Sequence, residues 1–192
     1  MGDITFSHNS DEWETPADII ADLVASEGIA VDTACNSKNM KLPVGLCIDQ
    51  GVDGLVFPWH QIPVLKDGGA AFCNPPHSKI VKWIEKCIGE SRRGVKVVML
   101  IPASTGTKHW HHLILPFAVE IKEVEGRICF KGRIKSPGQP KDLPKDEIKY
   151  KIGTAPATFD SAIVTFDISR PRVNGGPLRT EYVQPKDRKK GE

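Results

Sequence analysis

Residues 70–102 read AAFCNPPHSKIVKWIEKCIGESRRGVKVVMLIP, and this stretch decides the fold. It opens on the short apolar run Ala70-Ala71-Phe72-Cys73, breaks at Asn74-Pro75-Pro76, and resumes with Ile80, Val81, Ile84, Cys87 and Ile88 at the spacing of one helix face. A helix from Ser78 to about Glu90 is predicted. Val95 to Ile101 follows as a continuous apolar run that stops at Pro102. A strand covered on both faces reads this way, because helices above and below a parallel sheet leave it no polar side. Strand, helix, strand is the unit of an α/β fold with a mostly parallel sheet and helices on both faces.

The rest of the chain extends this pattern. Thr15-Pro16 ahead of Ala17-Asp18-Ile19-Ile20-Ala21-Asp22-Leu23-Val24 predicts an N-cap with proline in the first turn, and a helix from about Pro16 to Ser26. Gly28 stops it. Ile29-Ala30-Val31-Asp32 is then a short strand that delivers a carboxylate at its carboxyl end, where parallel sheets hold their ligands. Leu42 to Ile48 is compatible with a second short strand, and Asp53-Gly54-Leu55 with Pro58-Trp59 reads as loop and anchor. Lys108 to Leu115 is predicted helical, Val119 to Val124 and Arg127 to Lys131 as strands, and Ala162 to Ile168 as the last strand. Gly, Pro and Lys crowd residues 132–157, which read as a basic loop or insertion. The expected organisation is a flexible N-terminus over 1–12, a single domain over 13–169, and a basic tail over 170–192.

No apolar run reaches the roughly 18 residues of a membrane span, and Met1-Gly2-Asp3 does not open a signal peptide, so a cytoplasmic protein is expected. Cys35, Cys47, Cys73, Cys87 and Cys129 form no CxxC pair and read as reduced, mostly buried thiols. On a helix His109 and His112 share a face while His111 does not, and no carboxylate stands at matching spacing, so His109-Trp110-His111-His112 does not signal a metal. Charge is unevenly distributed. Residues 1–60 carry ten acids against Lys38 and Lys41, whereas 127–151 carry eight Lys or Arg against three acids. That asymmetry suits a polyanion docking on the later part of the chain, the duller alternative being a solvated surface with a disordered basic tail.

The chemistry centres on Asn74-Pro75-Pro76-His77. Each proline lacks an amide donor, fixes its own φ and restricts its predecessor, so the loop is stiff and offers carbonyl acceptors beside the Asn74 side-chain oxygen. Two acceptors that hold the N–H bonds of an amino group conjugated to an aromatic ring turn its lone pair toward an electrophile. A base drawn out of a duplex needs a stacking partner, and His77 is placed to supply one.

These residues resemble the phage-type DNA N6-adenine methyltransferases of the Dam group. The likeness runs from Glu12 to about Ile168 through Trp13-Glu14-Thr15-Pro16, Asp32-Thr33-Ala34-Cys35-Asn36, Asp53-Gly54-Leu55 with Trp59, and Cys73-Asn74-Pro75-Pro76. It continues in Leu100-Ile101-Pro102-Ala103 with Thr105, Gly126-Arg127-Ile128 with Phe130, and Ser161-Ala162 with Phe166. The resemblance implies a Rossmann-like methyltransferase sheet with S-adenosyl-L-methionine across the strand ends, and methyl transfer to adenine in DNA. It places Asn74, Pro75, Pro76 and His77 in catalysis, and Trp13, Thr15, Pro16, Asp32, Asn36, Asp53 and Asn74 around the cofactor, although Trp13 could as easily staple the first helix onto the domain. His77, Ser78, Thr105, Arg127, Lys131, Arg133 and Lys135 are the corresponding nucleic-acid candidates. Two departures stand out: the glycine-rich first loop of other methyltransferases is Thr33-Ala34-Cys35-Asn36 here, and His77 replaces the usual Tyr or Phe. The residues alone also leave open an amino-group methyltransferase acting on RNA or protein glutamine, and a weakened cofactor- or DNA-binding homologue.

Overall fold

The computed structural model describes residues 13–136, 138, 139, 144, 147, 149–173 and 175–186. The N-terminus over 1–12 and the end of the basic tail lie outside the described residues. The elements are α1 (Ala17–Glu27), β1 (Ile29–Cys35), β2 (Val44–Cys47), α2 (Pro63–Lys66), β3 (Ala70–Cys73), α3 (Ile80–Ser91) and β4 (Val97–Pro102). A π-helical stretch, Trp110–Ile114, leads into the short α4 (Leu115–Phe117). After it come β5 (Glu120–Val124), β6 (Cys129–Lys135), β7 (Tyr150–Pro156), β8 (Ser161–Phe166) and β9 (Leu178–Tyr182).

Seven strands form one sheet in the order β2-β1-β3-β4-β8-β5-β9, and β6 pairs with β7 in a separate ribbon. β8 runs antiparallel to β4 and β5, while the other pairings in the sheet are parallel. The mostly parallel α/β sheet read from residues 70–102 is therefore present, covered on both faces. Alternation along β4 shows why. Val97, Met99 and Ile101 join the cluster of Ile84, Cys87 and Ile88 from α3, whereas Val98 and Leu100 join Ile19, Ile20 and Leu23 from α1. Each such fully buried aliphatic side chain contributes about 1.5–3 kcal/mol relative to exposure, so a run buried on both sides is what holds α1 and α3 in place.

The structure corrects several details. β1 continues past Asp32 to Cys35, so the carboxylate sits within the strand. On α3 it is Trp83 that turns inward, and Val81 is exposed. The helix after β4 widens into a π-turn because Pro116 has no N–H for the His112 carbonyl and its ring crowds that oxygen. Residues 132–157 are no plain loop: their ends form an antiparallel ribbon in which Gly132 faces Gly153, and Phe130, Ala155 and Ala157 are buried at its base. The expected tail contributes β9, which completes the sheet beside β5. Polar residues 179–181 hid that strand from a search for apolar alternation, and Tyr182 anchors it by donating its hydroxyl to Asp22 Oδ2 at 2.8 Å. Cys35, Cys47, Cys73 and Cys87 are buried free thiols, and Cys129 is exposed.

Candidate active site

The carboxyl ends of β1, β2 and β3 open on a cleft of about 250 Å³. Leu46, Ile48, Leu55 and the rings of Trp13 and Trp83 give it apolar walls. Asp32, Asn36, Asp53 and Asn74 supply its polar groups. Ligands of parallel sheets bind at this edge because adjacent loops diverge there and leave a crevice.

Asp32 is buried on β1, beside Phe72 of β3. Its Oδ2 accepts the Lys41 backbone N–H at 3.2 Å, and Oδ1 lies 3.5 Å from the Ala34 N–H. Burial outweighs these bonds and pushes its carboxyl up to about 6. An acid so placed is a carboxylate short of a cation. Asp53 is delivered by a loop that Gly54 lets close on β1: a Cβ there would lie 1.9 Å from the Thr33 carbonyl oxygen. Trp59, fully buried, fixes the same loop by donating Nε1–H to the Gly54 carbonyl at 2.7 Å. One Asp53 oxygen accepts the Leu55 N–H at 2.9 Å. Asn36 lines the cleft, but its side-chain oxygen accepts from the N–H groups of Lys38 and Asn39 at 2.9 and 3.1 Å, so it shapes the turn.

Asn74 leaves β3 with its side chain held from the other side of the cleft. Its Nδ2 donates to Thr15 Oγ1 at 3.1 Å and to the Trp13 carbonyl at 3.3 Å. A carbonyl can only accept, so the atom facing Trp13 is the nitrogen, and the side-chain oxygen takes the other side of the amide. Thr15 is thus a partner of Asn74 and not the helix cap expected of it. The N-cap position falls on Pro16, which opens α1 and is absent from the cleft lining. Pro75 is buried, Pro76 lines the cleft, and the Pro76 carbonyl accepts the Lys79 N–H at 3.1 Å, which removes one of the acceptors the loop was expected to present. His77 is exposed and meets Phe159 edge-on, with ring centroids 5.0 Å apart.

The nucleic-acid candidates spread around this edge. Ser78 is exposed in the 3-10 turn His77–Lys79 after β3, and Thr105 on the loop after β4. Arg127 reaches the Ala157 carbonyl at 3.4 Å, across the base of the ribbon. Lys131 pairs with Glu14 at 3.6 Å, and Arg133 and Lys135 lie farther along β6. Among the described residues no group of three His, Cys, Asp or Glu could hold a metal, and no helix is long and apolar enough to cross a membrane. Glu14, Lys41, Gly54 and Phe159 escaped the sequence reading as individual residues. Phe159 alone carried a signal, an aromatic just ahead of a buried strand at a turn, while the others act through partners distant in the chain.

The family model described as DNA N-6-adenine-methyltransferase (Dam) matches residues 3–151. No curated protein matches the chain. Among solved structures, the chain is similar to a SAM-dependent O-methyltransferase from Thermotoga maritima, with 15% identity and a TM-score of 0.41 over 86% of this chain and 71% of that one.

Proposed function

This chain belongs to the Dam family of DNA N-6-adenine-methyltransferases, and from that premise we propose how its own residues carry the reaction. The activity is transfer of a methyl group from S-adenosylmethionine to the N6 amino group of adenine in DNA. The cleft fits that cofactor. Asp32, raised by burial and near only a Lys41 ammonium that Glu14 already holds, suits the ammonium end; Asp53 suits the ribose hydroxyls; Leu46, Ile48, Leu55 and Trp13 suit a flat adenine ring. The bound cofactor supplies a sulfonium methyl group as the electrophile.

The protein's part is to orient the amino group and exclude water. Asn74 Oδ1 and the Pro75 carbonyl accept its two N–H bonds, which draws the nitrogen lone pair out of conjugation with the base and toward the methyl carbon. Preorganised acceptors of this kind are worth about 100- to 1,000-fold in rate, because no reorganisation is needed as charge develops. His77 and Phe159 form the aromatic surface that holds the extruded base, the imidazole taking the place of the larger Tyr or Phe ring. The exposed basic residues Arg127 and Lys131 contact phosphate and fix the DNA without reading sequence, and β6 carries Arg133 and Lys135 beyond them.

The observation that carries this reading is the orientation of the Asn74 amide, whose donors are both engaged by Trp13 and Thr15. Incubation with labelled S-adenosylmethionine and unmethylated DNA is expected to label N6 of adenine. Label in RNA or protein with none in DNA overturns it.

A further inference from the structure

Three parts of the molecule that the reaction must bring together converge on Trp13–Thr15. Asn74 donates its amide hydrogens to Thr15 Oγ1 and the Trp13 carbonyl, one on each side of Glu14. The Glu14 backbone pairs in both directions with Lys131 on β6, donating to the Lys131 carbonyl at 2.8 Å and accepting its N–H at 3.1 Å. The Glu14 carboxylate takes the Lys41 ammonium at 2.7 Å and lies 3.6 Å from the Lys131 ammonium. Lys41 in turn gives its backbone N–H to Asp32 at 3.2 Å.

A single carboxylate therefore touches the floor of the cofactor cleft through Lys41 and the basic ribbon through Lys131. Burial works to raise the Glu14 carboxyl, but the bond and charge of Lys41, with Lys131 behind it, outweigh burial and keep it below its ordinary value. It is an anion between two cations on different elements. Trp13, Glu14 and Asp32 all line the cleft, so a ligand there presses on the same segment that holds the ribbon.

We propose that Glu14 is a positioning residue that couples cofactor binding to DNA binding, with Trp13–Thr15 as a strap joining the cleft, the Asn74 amide and the β6–β7 ribbon. The inference rests on the reading of that ribbon as the DNA-facing element. A ligand in the cleft fixes the strap and the strap fixes the ribbon, so DNA seated on the ribbon strengthens the hold on the cofactor by the same factor. Coupling between two sites is a shared free energy and must appear in both directions.

The test closes a thermodynamic cycle on the full-length protein, with S-adenosylhomocysteine and an unmethylated duplex oligonucleotide as probes. Anisotropy gives the DNA Kd with and without saturating S-adenosylhomocysteine, and calorimetry gives the reciprocal pair. The parent is expected to bind DNA about tenfold more tightly with the cleft filled, within the usual range of such couplings. Glu14→Gln is expected to bring that ratio to within about twofold of unity, whatever the shift in either Kd alone, and Glu14→Asp to retain part of it. A clip with a purely structural role moves the melting temperature and leaves the ratio intact. Should Glu14→Gln fail to fold, Lys131→Gln cuts the same pair from the ribbon side and is expected to lower the ratio as well. A parent ratio of one, or an unchanged ratio in the variants, overturns the coupling alone. A parent that does not bind DNA in either state overturns the reading of the ribbon, and the coupling with it.

Discussion

Glu27, which ends α1 just ahead of β1, and Asp32, within β1 on the side of the cleft, are both acted on by burial, yet their carboxyls move in opposite directions. Burial works to raise Glu27, but Lys122 and Lys96 both bind it, Lys96 at 2.8 Å, and together they outweigh burial and hold it below its ordinary value. Burial of Asp32 meets only backbone N–H groups and a Lys41 ammonium already bonded to Glu14, so its carboxyl rises to about 6. The amino end of the sheet is where the protein satisfies its acids. At the carboxyl end it leaves one short of a cation, a shortfall that costs stability and marks Asp32 as a candidate ligand group.

Four experiments break or sharpen this contrast. The largest effect belongs to Asn74→Ala, which removes the acceptor at the carboxyl end. Single-turnover methylation is expected to slow about 100- to 1,000-fold, with S-adenosylhomocysteine affinity changed far less, since the lost interaction belongs to the transition state. Next comes Asp32→Asn. A carboxyl raised in the folded state contributes stability that is full below its unfolded value of 3.8 and lost as pH rises through about 6. The ligand-free variant is therefore expected to exceed the parent by about 1–3 kcal/mol in urea denaturation at pH 8. The gain shrinks toward pH 4, while affinity for S-adenosylhomocysteine falls at pH 8; an equal or lower stability at pH 8 removes the contrast.

Lys122→Met acts at the other end. It deprives Glu27 of one cation and is expected to cost about 1–3 kcal/mol without changing the methylation rate of folded enzyme. Here the sign reverses. A depressed carboxyl contributes stability that is present above its unfolded value of 4.5 and lost as pH falls through the lower folded value, so the acid loss of stability becomes shallower in this variant. The smallest effect is expected from His77→Tyr, a few-fold fall in KM for DNA in steady-state assays, because a larger ring meets the base beside Phe159.

What could be read from the sequence follows the same division. The runs at Ala70–Cys73 and Val97–Ile101 declare themselves because both faces are buried, and Asn74-Pro75-Pro76 because proline constrains backbone wherever it stands. Of the cofactor candidates Trp13, Thr15, Pro16, Asp32, Asn36, Asp53 and Asn74, all but Pro16 line one cleft, joined there by Pro76 of the catalytic loop. What was hidden depends on partners distant in sequence. Nothing near Glu14 announces Lys41 or Lys131, polar residues 179–181 become a strand only because β5 is waiting, and the π-turn before Pro116 follows from a carbonyl with no donor.

The pairing of β5 with β9 also bears on how the chain emerges from a ribosome. Strands β1 to β4 can assemble as they are made, but β5 has no strand neighbour in the sheet until 161–166 arrive, and its outer side stays bare until 178–182 do. A bare strand edge is a template for any other extended chain. The last strand, with Tyr182 tied to Asp22 in the first helix, is thus a closing stitch, and a copy that stops before it carries its cleft residues together with an edge open to aggregation.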